Sequence, residues 1–178
     1  MEPQRELLEA GYTLTERITT NGFESLEIYN NPKSPITFGL MGFVQSMQLM
    51  HDMYFASDGY ISLSAGEGWD QPLVEAMSLG LSCLATDNTA HKQYVNKDNC
   101  TLIQCEQEIA FDGTFFMGNK GIWYPPTENS LRQKWSEFCS LTPEEIKLIG
   151  DKAHEEMQED YEWMLENLEE LLDDFLEQ

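Results

Sequence analysis

Apolar and polar stretches alternate most clearly between residues 36 and 105. Ile36-Thr37-Phe38-Gly39-Leu40 is a short apolar run that suits a buried strand. From Gln45 to Ala56 the apolar residues fall at 47, 49, 50, 53, 54 and 55, a helical distribution. A strand-like run from Gly59 to Ser64 ends in a turn of small residues. Pro72 suits the first position of a helix, where its missing N–H costs nothing. That helix is expected to carry Leu73-Val74-Glu75-Ala76-Met77 and to stop near Gly80. Ser82 to Thr86 reads as the next strand, and Ala90 to Ile103 as a further helix and strand. Alternation of this kind points to βαβ units, hence to an α/β fold with a parallel sheet and helices on both faces.

The flanks read differently. Thr19-Thr20-Asn21-Gly22 and Asn30-Asn31-Pro32 are turn signals around a strand at Ser25 to Tyr29. Glu106 to Lys120, with Asp112-Gly113 and Met117-Gly118-Asn119-Lys120, reads as an irregular connection. Gly121 to Tyr124 is a short strand that Pro125-Pro126 ends sharply. Helices are expected over 127–140 and from Thr142 onward, where Thr142-Pro143-Glu144-Glu145 supplies a capping threonine and a proline at the first position. Met157, Tyr161, Met164, Leu168, Leu171 and Phe175 recur three or four apart, giving one apolar stripe with acids over the rest of the helix. Such a stripe packs either on its own domain or on another chain. The expected organisation is therefore a domain over 1–150 and an acidic amphipathic helix over 151–178.

Composition narrows the setting. The 178 residues suffice for one well-buried domain, and 41% hydrophobic with 11% aromatic residues argues for a packed globule. No apolar run reaches the roughly 18 residues of a membrane span, and the N-terminus shows no secretory signal. Cys83, Cys100, Cys105 and Cys139 lack close-paired spacing, so reduced structural thiols in a cytoplasmic protein are expected. Thirty-two acids against ten bases give a net charge of -22, which disfavours direct binding to nucleic acid or to an anionic membrane. The imbalance is uneven: from Glu155 to the end there are eleven acids and no base.

The chemistry concentrates in residues 64 to 80. Glu67 and Glu75 stand eight apart across a strand–turn–helix, and helix N-terminal amides above a parallel strand favour an anion. Ionised carboxylates beside that place accept hydroxyls. The ligand expected from the residues carries both phosphate and hydroxyl groups. The string Ser64, Glu67-Gly68-Trp69-Asp70-Gln71-Pro72, Glu75-Ala76-Met77 and Gly80 resembles the nucleotide-sugar motif of the GT-B glycosyltransferases, above all the retaining glycosyltransferase family 4. Met53 to Tyr60 is similar to that family's tyrosine-containing lead-in to the motif strand. The resemblance covers roughly residues 36 to 105. It implies a single Rossmann-like domain of the GT-B C-terminal type, followed here by the long acidic helix.

By resemblance, Glu75 would hold the ribose hydroxyls of a nucleotide and Glu67, the candidate catalytic residue, would contact the transferred sugar. Backbone amides of Gly68, Trp69, Asp70 and Gln71 would face the diphosphate, and Gly42-Phe43-Val44 would support the base. The donor nucleoside diphosphate sugar is then a substrate, with no cofactor and no metal expected. The family's acceptor side belongs to an N-terminal half, so the expected partner is such a half, separately encoded or part of a longer enzyme. Two departures from the family stand out: Arg17 and Lys33 are the only nearby bases, and Asp70 occupies a place that is often glycine. They favour a second expectation, a non-catalytic acidic relative that imitates nucleic acid or occupies a basic partner. Without any ligand, Glu67 and Glu75 also serve as helix-dipole and solvated first-turn acids.

Other chemistries lack support. His51, His91 and His154 have no metal-ligand spacing and read as surface or capping residues. Ser64 lies in no Gly-x-Ser-x-Gly elbow, and no Gly-x-x-x-x-Gly-Lys loop occurs. Trp123, Tyr124 and Trp135 read as core, since no basic residues interleave with them.

Overall fold

A computed structural model of the chain describes residues 3–20, 23–42, 44, 46–111 and 120–176. In chain order the elements are α1 (Pro3–Glu9), β1 (Thr13–Thr20), β2 (Phe23–Asn30), β3 (Thr37–Met41), α2 (Met47–Phe55), β4 (Gly59–Ser62), α3 (Gln71–Ser78) and β5 (Ser82–Thr86). A 3-10 turn (Thr89–Gln93), β6 (Thr101–Ile103), β7 (Glu108–Phe111), β8 (Lys120–Trp123), α4 (Glu128–Cys139) and α5 (Pro143–Leu176) follow. The chain forms two compact units, Met1–Met53 and Tyr54–Gln178. The acidic tail is not a separate element but the continuation of α5.

The first unit is an antiparallel meander, β1-β2-β3. Cross-strand partners Arg17 and Glu27 form an ion pair, and Glu27 also accepts hydrogen bonds from Tyr29 Oη (2.8 Å) and Gln4 Nε2 (3.2 Å). Those bonds, Tyr29 first and Arg17 next, hold the buried Glu27 carboxyl below its ordinary range. Arg17 is thus committed to the sheet. The strand expected at residues 36–40 exists as β3, but it pairs antiparallel with β2 and is largely exposed rather than buried. Phe38 lies edge-on against Tyr12, centroids 5.0 Å apart. A residue on a one-sided meander needs only its inner face covered, and apolar periodicity alone does not separate that case from a two-sided parallel strand.

The second unit holds the parallel sheet, β4-β5-β6, in sequence order. Alternation along the strands assigns its two faces. Tyr60, Ser62, Cys83 and Ala85 point one way, toward α3 and α5; Ile61 and Leu84 point the other way, toward α4. Helices therefore cover both faces. The core is Leu73, Ala76, Met77, Cys83, Leu84, Ala85, Ile103 and Ala153, all fully buried. α3 closes with a Schellman motif: Gly80 (φ 77°) and Leu81 donate to the carbonyls of Met77 and Ala76. α5 crosses that turn so closely that a Cβ on Gly150 would stand 2.1 Å from the Gly80 carbonyl oxygen. Its start is the expected cap: Glu145 N–H donates to Thr142 Oγ1 (3.3 Å) while Thr142 N–H donates back to Glu145 (2.8 Å).

Several expectations are corrected. Part of the connection over 106–120 is ordered as an antiparallel pair, β7 with β8; residues 112–119 lie outside the described residues. Trp123 and Trp135 are 40% and 44% exposed: a two-stranded ribbon offers Trp123 no second layer, and Trp135 stands at an open cleft with Ile61 and Leu84 between α4 and the sheet. The four cysteines are free thiols; burial pushes Cys83 and Cys100 up, the latter to about 12. Among the described residues no helix is long and apolar enough to cross a membrane.

Candidate functional site

The motif loop leaves β4 at Ser62 and enters α3 at Gln71, above the carboxyl ends of the parallel strands. Ligands of open α/β sheets bind on that side. Asp70, not Glu67, caps the helix: it adopts the left-handed region (φ 64°, ψ 68°), which aspartate tolerates better than most residues, and its Oδ1 accepts the Leu73 N–H. Helix geometry starts one residue earlier than expected, so Pro72 is the second residue and Glu75 lies in the second turn.

Asp70 is also the centre of a buried polar network. Its Oδ2 accepts from Ser62 Oγ (2.5 Å) and faces His91 Nε2 at 2.9 Å. His91 is fully buried, and its Nδ1 lies 2.8 Å from the Thr86 carbonyl oxygen. A carbonyl can only accept, so Nδ1 carries a hydrogen, and Nε2 shares a proton with the Asp70 carboxyl. Asp70 is thereby engaged within the protein. This overturns the reading of His91 as a surface or capping residue. Asp70 and His91 are 21 residues apart in sequence and meet only through the β4–α3–β5 crossover, so no local spacing announces the pair. His51 is exposed, and His154 Nδ1 meets the Ser78 carbonyl at 2.6 Å, at the end of α3.

The two motif glutamates are placed as follows. Glu67 is half-buried, and its backbone N–H donates to Thr89 Oγ1 (2.9 Å), which ties the motif loop to the loop after β5. Glu75 accepts from Tyr54 Oη (3.2 Å) and from Gln71 Nε2 (3.3 Å), one on each oxygen. Each oxygen keeps acceptor capacity for a further hydroxyl. Both glutamates and Asp70 act on one phenol: burial first, then Asp70, with Cys83, Glu67 and Glu75 after it, pushes Tyr60 up to about 12. Tyr54 is raised by burial and by Glu75 in the same way. Tyr54 and Tyr60 are tilted against each other at 6.0 Å; both lie in the Met53–Tyr60 lead-in that the resemblance covers, without being named there as site residues.

Of the expected donor loop, Gly68 has open space where a Cβ would stand. Trp69 turns away to pack on Tyr94 (5.1 Å), whose hydroxyl donates to the Trp69 carbonyl at 2.5 Å. Gln71 is exposed and turned to Glu75. Phe43 lies outside the described residues, and Val44 belongs to the first of the two units. A polar cleft of 420 Å³ adjoins the loop after β5, lined by Asp87, Asn88, Thr89, Lys92, Gln107 and Tyr124. Asn88 Nδ2 braces its floor by donating to the carbonyls of Ser64 (2.8 Å) and Tyr124 (2.9 Å). Lys92 stands 3.9 Å from Asp87 and is mostly exposed, free to turn toward an anion. Among the described residues no group of three metal-ligating side chains occurs. No protein-family model matches the chain, and no characterised protein matches it significantly.

Proposed function

We propose that the second unit binds a nucleoside diphosphate sugar at the carboxyl ends of β4 and β5, as the donor half of a retaining GT-B glycosyltransferase similar to family 4. Glu75 takes the ribose hydroxyls, Glu67 the hydroxyls of the sugar, and the amides around Gly68 with Lys92 meet the diphosphate. Hexosyl transfer to an acceptor hydroxyl then requires an acceptor-binding half, because orientation of the two substrates supplies much of the rate. One observation carries this reading: Glu67 and Glu75, eight residues apart, flank the start of α3 above the ends of parallel strands, while Asp70 between them is taken up by Ser62 and His91. Two carboxylates that keep acceptor capacity in that place suit a polyhydroxyl ligand.

Calorimetric titration with UDP, GDP, ADP and UDP-glucose tests it, on the native chain and on Glu75→Gln. Micromolar to low-millimolar binding by one nucleotide, weakened roughly tenfold or more in the variant, is expected for loss of a hydrogen-bonded carboxylate. Silence toward all four at millimolar ligand removes the donor reading. A second reading, a non-catalytic relative, is favoured by the Asp70 carboxylate standing at the start of α3, where a diphosphate would otherwise be received.

A further inference from the structure

Among the described residues, two that are not glycine hold a positive φ: Asp70 at 64° and Thr89 at 35°. They stand on the two loops that follow β4 and β5. Asp70 is explained by its cap, and aspartate tolerates the left-handed region. Thr89 is branched at Cβ, and such a residue is crowded there. Strain of this kind persists only where the surroundings impose it, and it points to a function of the strained residue.

The hydroxyl of Thr89 joins two partners. It accepts the Glu67 N–H at 2.9 Å and donates to Asn88 Oδ1 at 2.9 Å. Asn88 is itself fully buried and braced, through Nδ2, by the carbonyls of Ser64 and Tyr124. A continuous chain of hydrogen bonds therefore runs from Tyr124 at the end of β8, through Asn88 and Thr89, to the backbone of Glu67. Glu67 lies between Gly66 and Gly68, residues that leave a loop free to take many shapes. Glycine at position 89 would relieve the strain but could not supply the hydroxyl.

We propose that Thr89, held by Asn88, is a positioning residue for Glu67: its hydroxyl fixes where the Glu67 carboxylate stands, and so which hydroxyls of the donor sugar it meets. The inference rests on the donor reading of Glu67. Thr89 acts through the glutamate, and small displacements of such a group weaken its contacts steeply.

The test is calorimetric titration of the whole chain with UDP-glucose and UDP, and with the GDP and ADP pairs likewise. The ratio of the two affinities separates the sugar from the nucleotide. Glu67→Gln should lower that ratio roughly tenfold, as loss of a charged hydrogen bond does. Thr89→Gly takes the same φ without a Cβ, so it folds, and it should lower the ratio by a similar factor. Thr89→Ser keeps the hydroxyl and should restore the native ratio. The double variant Glu67→Gln, Thr89→Gly should lose no more than Glu67→Gln alone, because one residue acts through the other. No binding by the native chain, or a ratio unmoved by Glu67→Gln, removes the donor reading of Glu67 and this inference with it. A ratio lowered by Glu67→Gln but not by Thr89→Gly overturns the positioning role alone. So does a loss in Thr89→Ser equal to that in Thr89→Gly, or a double variant in which the two losses add.

Discussion

The two compact units bury their residues by different means. In the second, Leu73, Met77, Leu84 and Ile103 are sealed between a parallel sheet and its helices, and the polar residues His91, Asn88 and Asn99 inside are hydrogen-bonded. The buried Ser82 hydroxyl, in contrast, has no partner among the described residues. In the first, a meander leaves Leu14, Ile18 and Phe38 at 42%, 36% and 40% exposure, and its centre is a carboxylate, Glu27, held by Arg17 and Tyr29. The lesson is that apolar density along a chain does not measure burial. A few layered strands make a core, whereas a similar run in a one-sheet unit leans on polar partners.

The widest separation between the units should come from Gly150→Ala. Its Cβ would meet backbone, not a flexible side chain, so α5 must lift from the α3–β5 turn. A loss of about 3 kcal/mol is expected in the denaturant transition reported by the second unit. A loss under about 1 kcal/mol would mean that α5 is not packed as described. Next is Asp70→Ala, which removes the α3 cap and leaves the His91 ring unpaired in the interior; about 2 kcal/mol is expected. Asp70→Asn should cost less, because the cap acceptor survives.

The smallest effect belongs to the first unit and appears only with pH. Glu27 has its carboxyl lowered in the fold, so its contribution is present above the unfolded value of 4.5 and is lost as pH falls through the folded value. Thermal melts of the native chain and Glu27→Gln should therefore differ at neutral pH and converge in acid. A difference that persists or grows below that range would contradict the assigned bonding.

What the sequence showed plainly was local. The β4–α3–β5 alternation, the Pro72 and Gly80 punctuation and the Thr142 cap are each written within a few residues, and each appears in the fold. The rest depends on partners far away in the chain. β3 looked like a parallel-sheet strand because its antiparallel partner β2 could not be read from it. β7 was hidden because its pairing with β8 spans a glycine-containing stretch with no alternating pattern. Glu67 and Glu75 were legible from their eight-residue spacing. Tyr54, Tyr60 and His91, which shape the surroundings of those glutamates, are joined to them only by the crossover.

The most direct measurement is amide chemical-shift mapping by NMR during titration with the nucleotide that binds most tightly. Donor binding at the carboxyl ends of β4 and β5 predicts shifts confined to Glu67–Leu73, Glu75 and the loop 87–92. Absence of shifts, or shifts gathered instead on the exposed stretch of α5 around Tyr161 and Met164, would contradict the assignment of this loop as a nucleotide-sugar site.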